Sequence, residues 1–68
     1  MNILGIGYTN KQLKEIARKT GHLDKVKEIP ASNVISFPDC YAEKFEAICR
    51  RDGIPFRYGN CGIIVGGI

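Results

Sequence analysis

Three cysteines, a single histidine, two loops that lead into helices and one basic stripe are the residues of this chain whose types and spacing could do chemistry. Cys40 follows Pro38-Asp39 at the expected start of a helix, where the positive end of the dipole favours a thiolate. Asp39 beside it opposes a second negative charge, and no histidine follows in the second half of the chain to act as a base. Cys61 stands in a Gly59-Asn60-Cys61-Gly62 turn and is expected to be exposed, which makes it the alternative candidate for a reactive thiol, whereas Cys49 falls on an apolar helical stripe and belongs to the core. Eight residues separate Cys40 from Cys49 and eleven separate Cys49 from Cys61, so there is no paired metal-ligand spacing. With His22 as the only histidine, no metal and no cofactor are expected. Glu43 and Glu46 lie three apart but off the apolar stripe, which makes them solvated partners of nearby cations rather than a catalytic pair. No catalytic residues are assigned.

Binding chemistry has two candidate locations. The loops Gly5-Ile6-Gly7-Tyr8-Thr9-Asn10 and Phe37-Pro38-Asp39-Cys40-Tyr41 each follow a strand and open a helix, so their unpaired N–H groups could hold an anion. Gly7, Tyr8, Thr9, Asn10, Asp39 and Cys40 are the candidate ligand-binding residues, although a lone G-x-G is equally a tight turn with close helix packing. The second location is the set Lys11, Lys14, Arg18 and Lys19, which a helix would carry on its exposed side as a nucleic-acid-binding face. Residues 1–30 hold six Lys/Arg against three Asp/Glu and residues 31–68 four against four, so the net charge of +3 is concentrated in the first half. A surplus of this size is also ordinary for a solvated surface.

These residues must be positioned by a short series of elements. An apolar strand over 3–8 ends at Thr9-Asn10, two good helix caps, and a helix then runs to about Thr20 with Leu13, Ile16 and Ala17 on one face and Gly21 closing it. His22 beyond that end is favoured as a cation near the negative end of the dipole. Residues 23–29 fit a short helix or an edge strand equally. A turn at Pro30-Ala31-Ser32-Asn33 leads to a buried strand over 34–37, and Pro38-Asp39 opens a helix reaching Arg51 or Asp52 with Tyr41, Phe45, Ile48 and Cys49 inward. A hairpin follows, its first strand held to an edge or to pairing from Phe56 onward by Pro55.

The expected fold is therefore one α+β domain over 1–68, a two-layer α/β sandwich. If 23–29 is a strand the order is ferredoxin-like βαββαβ with an extra C-terminal strand; if it is helical, a small parallel βαβαββ sheet results. In either case strands 3–8 and 34–37 are expected to run parallel, delivering both helix starts to one rim of the sheet.

Sixty-eight residues enclose a small core, burying about 60% of the unfolded surface, so a staple or partner is expected. An odd cysteine count with no signal-peptide pattern argues against a disulfide framework and for a cytoplasmic setting, and no apolar run approaches the roughly 20 residues of a membrane helix. The uncharged segment Ile63 to Ile68 would be a liability as a bare edge strand, which points to a homodimer that pairs through it.

Two stretches resemble known families. Gln12 to Ile29, with Leu13-Lys14-Glu15-Ile16-Ala17-Arg18-Lys19-Thr20-Gly21, is similar to the first helix and turn of helix-turn-helix DNA readers, although Pro30 cuts the following segment short of a recognition helix. Val34 to Val65, ending in Cys61-Gly62-Ile63, is similar to small sulfur- or selenium-carrier domains, which implies a carrier thiol at Cys61 but leaves the first 33 residues unaccounted for. The leading expectation is a non-catalytic interaction or regulatory module for a partner protein or small anionic ligand, with nucleic-acid binding and thiol carriage as alternatives.

Overall fold

The computed structural model describes residues 1–29 and 32–67, so Pro30 and Ala31 of the expected turn and Ile68 of the expected last strand lie outside the described residues. The chain forms β1 (Asn2–Ile6), α1 (Asn10–Lys19), a short 3-10 turn (Leu23–Lys25), β2 (Lys27–Glu28), β3 (Val34–Ser36), a second 3-10 turn (Asp39–Tyr41), α2 (Ala42–Arg51), β4 (Phe56–Tyr58) and β5 (Gly62–Gly66). Five strands make one sheet in the order β2-β3-β1-β5-β4. Both helices pack on one face of that sheet, giving the expected two-layer α+β sandwich.

The core follows from the alternation of side chains along each strand. Ile3, Ile35, Ile63 and Val65 point to the helices, where they meet Leu13, Ile16 and Ala17 of α1 and Phe45 and Cys49 of α2. Phe37 sits edge-on to Phe45 at a centroid distance of 6.0 Å, an arrangement that favours the positive ring edge over the negative ring face. Helix α1 starts where Thr9 caps it, since the Gln12 amide donates to the Thr9 hydroxyl and the Gln12 side chain accepts from the Thr9 amide. Gly21, at φ 86°, continues the chain beyond its C-cap Thr20.

The strand directions differ from the sequence expectation. Residues 23–29 are neither wholly helix nor wholly strand: one 3-10 turn leads into the two-residue β2, which runs antiparallel to β3 and therefore in the direction of β1. Strand β2 thus completes the crossover from β1, and β3, as its hairpin partner, runs antiparallel to β1 with Leu4 opposite Val34 and Asn2 opposite Ser36. The expected parallel pairing of 3–8 with 34–37 does not occur. No second helix follows α1 in residues 22–29, so the recognition helix implied by the helix-turn-helix resemblance is not formed there.

A second difference concerns the last hairpin. The ferredoxin-like order would place the strand after α2 beside β1; instead β4 takes the sheet edge and β5 folds back between β4 and β1, parallel to β1. The register Asn2↔Gly62 through Ile6↔Gly66 joins the first and last strands along their whole length. Gly62 is required there, because a Cβ at this position would stand 2.0 Å from the Asn2 carbonyl oxygen. Ile63 to Val65, part of the segment expected to pair with a second copy, are flanked by β1 on one side and β4 on the other, while Ile68 lies outside the described residues. Pro55 precedes the first ladder pair, Phe56↔Val65, on an edge strand, as expected of a residue without an N–H.

The core assignment predicts that Leu13→Ala lowers unfolding free energy by about 2–5 kcal/mol, measured by urea denaturation. The effect of Leu4→Ala, on the helix-free face, is expected to be far smaller. Equal losses would contradict the one-sided packing.

Candidate functional site

Antiparallel β1 and β3 send the two helix-entry loops to opposite ends of the sheet. Gly7, Tyr8, Thr9 and Asn10 leave the C-terminal end of β1, next to Gly66 and Gly67; a Cβ on Gly66 would come within 2.9 Å of the Tyr8 ring. Asp39 and Cys40 leave β3 beside the start of β1, where the Asp39 carboxylate accepts from the Met1 ammonium at 2.7 Å. The six expected ligand-binding residues therefore form no common site.

Some of the donors of each loop are already engaged. The capping box already uses the Thr9 and Gln12 amides, and the Leu13 amide donates to the Thr9 carbonyl. Cys40 lies in the three-residue turn that precedes α2, and Asp39 caps nothing because the N-cap position of α2 is Tyr41. Both Cys40 and Cys61 are exposed, Cys61 in the β4–β5 turn with its carbonyl accepting from the Asn2 amide. Cys49 is buried among the helices, and burial first, with Asp52 and Glu46 adding to it, pushes its thiol up to about 11. The His22 ring stacks on Tyr41 at a centroid distance of 3.8 Å, and the Lys44 ammonium lies 3.2 Å from its Nε2.

A groove of about 410 Å³ lies between α1 and the 23–28 segment, lined by Lys11, Lys14, Glu15, Arg18, Leu23, Val26 and Glu28. Lys11, Lys14 and Arg18 recur at i, i+3 and i+7, which sets them along one side of α1. Opposite them, the 3-10 turn presents Leu23, which is exposed, and Val26, which packs partly against the core. Asn10 fastens the two walls together, donating through Nδ2 to Glu28 Oε1 and to the Ile29 carbonyl, each at 3.3 Å. Its side chain is buried and its Oδ1 has no hydrogen-bond partner among the described residues.

Charge in the groove is partly neutralised from within. Lys14 Nζ pairs with Glu28 Oε2 at 3.0 Å, and Arg18 pairs with Glu15 through both Nε and Nη2. The Lys14 ammonium first, and the Asn10 amide second, hold the Glu28 carboxyl below the usual carboxylate range; the Arg18 hydrogen bond does the same for Glu15. Lys19 is drawn away from the groove to Asp52 at 2.7 Å. Of the four basic residues expected to face nucleic acid, three line one groove and Lys11 alone makes no ion pair among the described residues.

Leu23, Val26 and Glu28 carried no site signal in the sequence, because the wall they build exists only once a 3-10 turn and a two-residue strand fold back along α1. Among the described residues no group of three or more His, Cys, Asp or Glu could hold a metal ion, and no helix is long and apolar enough to cross a membrane. Comparison with protein families, curated proteins and solved structures finds no match to this chain.

Two outcomes test this geometry. A Glu28 carboxyl held low by Lys14 contributes stability at neutral pH that is lost as pH falls through its folded-state value. Lys14→Met should move its titration, followed by carboxyl-carbon NMR, up toward the ordinary value. An unmoved titration would show that the ion pair does not form. Iodoacetamide should label Cys40 and Cys61 in the folded protein and Cys49 only after unfolding, read by mass spectrometry.

Proposed function

We propose that this is a non-catalytic binding module that holds a small amphipathic anion in the groove between α1 and the 23–28 segment. The reading rests on one observation: three cations along one helix side face an aliphatic wall across a cavity of about 410 Å³. Exposed ion pairs such as Lys14–Glu28 and Arg18–Glu15 are worth only about 0–1 kcal/mol. A ligand carboxylate or phosphate can therefore replace Glu28 or Glu15 as a partner, with Lys11 free to assist. An apolar ligand body covering Leu23 and Val26 would add about 25 cal/mol for each Å² removed from water.

Binding suits the groove better than catalysis. Glu15 and Glu28, the acids among its described lining residues, are moved away from neutrality, the wrong direction for a general acid or base near pH 7. Nucleic-acid binding finds less support on the same face, since tracking a phosphate backbone draws on several free cations, and Lys14, Arg18 and Lys19 are each engaged by a carboxylate. A cytoplasmic setting, with the exposed Cys40 and Cys61 kept reduced, belongs to the same proposal.

Sodium octanoate and inorganic phosphate serve as probes, the first with an apolar body and the second without, in an amide NMR titration at low ionic strength. Octanoate is expected to shift Lys11, Lys14, Arg18, Leu23 and Val26 saturably, to bind more tightly than phosphate, and to weaken as salt rises. Substituting Lys11 and Lys14 together by Ala should weaken it by about tenfold, equivalent to about 1.4 kcal/mol. Shifts elsewhere, or none at millimolar octanoate, would overturn the assignment.

A further inference from the structure

The two helices cover one face of the sheet and leave the other bare. Strand register fixes what that bare face carries. Leu4 stands between Val34 and Ile64 as the direct cross-strand neighbour of both, Ile29 continues the row beyond Val34, and Arg57 ends it beyond Ile64. Leu4, Ile6 and Ile29 are 38%, 43% and 40% exposed, high for large aliphatic side chains lying together. From Ile29 on one edge to Ile64, the row spans about 14 Å, at about 4.8 Å per strand.

Two further features bear on what covers this row. First, β1 and β5 are a parallel pair whose sequences, Ile3-Leu4-Gly5-Ile6 and Ile63-Ile64-Val65, are apolar on both faces. Parallel strands with that pattern are normally covered on both sides. Second, Lys27 and Arg57 flank the row from the two edge strands, and neither makes an ion pair among the described residues. The described strands place no carboxylate on this face, because Glu28 alternates to the helix side opposite Ile35. They place no aromatic ring there either, since Phe56 and Tyr58 share the side of Val65 and Ile63.

We propose that the helix-free face docks an acidic amphipathic segment of a partner protein, its aliphatic side chains covering Leu4, Val34 and Ile64 and its carboxylates meeting Lys27 and Arg57. Charge selects this occupant. A second copy of the chain would bring cations against cations. Single-stranded nucleic acid would find no ring on which to stack its bases, and two cations are few for a lipid surface. One apolar residue per helical turn, about 5.4 Å apart, matches the strand spacing, so a helix of about three turns spans the row.

Selection from a random-peptide display library on the folded protein tests this, with affinities then measured on synthetic peptides. The enriched sequences are expected to combine aliphatic residues at helical spacing with Asp and Glu. Their affinity should fall by about tenfold or more on the double exchange K27E/R57E, whose exposed positions leave the core intact, and likewise on Leu4→Asn. Octanoate binding in the groove should be unchanged in Leu4→Asn, which separates this face from the groove. Enrichment of peptides without acids, or no enrichment at all, overturns the proposal. So does a concentration-dependent dimer abolished by Leu4→Asn, which would make the occupant a second copy, or co-sedimentation with phosphatidylglycerol vesicles, which would make it a membrane.

Discussion

Everything in this fold depends on the hydrogen-bonded union of β1 with β5. The first strand has no hairpin partner of its own; it is flanked by β3 on one side and by β5 on the other, each brought from far along the sequence. Its inward residues, Ile3 and Gly5, are buried with Ile63 and Val65 beside them under the helices. The glycines near the join carry the steric burden. A side chain at Gly62 would strike the Asn2 carbonyl, and one at Gly66 would strike that of Ile6.

That union also explains why the two proposed binding regions are separate. Strand β2, on the edge remote from β5, is too short to cover α1 on its own, and the 3-10 turn before it leaves a trough alongside the helix. The centre of the sheet, where β1 and β5 lie side by side, puts its second apolar face to solvent. One region is a cationic trough with an aliphatic wall, the other a flat aliphatic field with cations at its borders. They differ in shape as much as in position, and the two ligand classes differ accordingly.

Much of the local structure could be read from residue types. Thr9 and Gln12 announce the start of α1, Phe45 and Cys49 mark the inward side of α2, and Pro55 restricts β4 to an edge. The directions of the strands could not. A rule for the handedness of crossovers does not say which later strand completes a given crossover, and the strand that does so here, Lys27–Glu28, has two residues and no apolar alternation to reveal it. Reading β3 as that partner reverses its direction and brings Asp39 to Thr9, which in the fold lie at opposite ends. The basic side of α1 was legible from the spacing of Lys11, Lys14 and Arg18, but not its ion pairs. Those depend on Glu28 arriving from β2 and Asp52 from the end of α2.

The pairing of Asn2 with Gly62 and of Ile6 with Gly66 has a consequence for the birth of the protein. A nascent chain emerging from a ribosome can form α1 and the β2–β3 hairpin early, yet its opening strand waits with one side unsatisfied until residues 62–66 have cleared the exit tunnel. The span between synthesis of β1 and arrival of β5 is when this chain most needs protection from adhering to its neighbours.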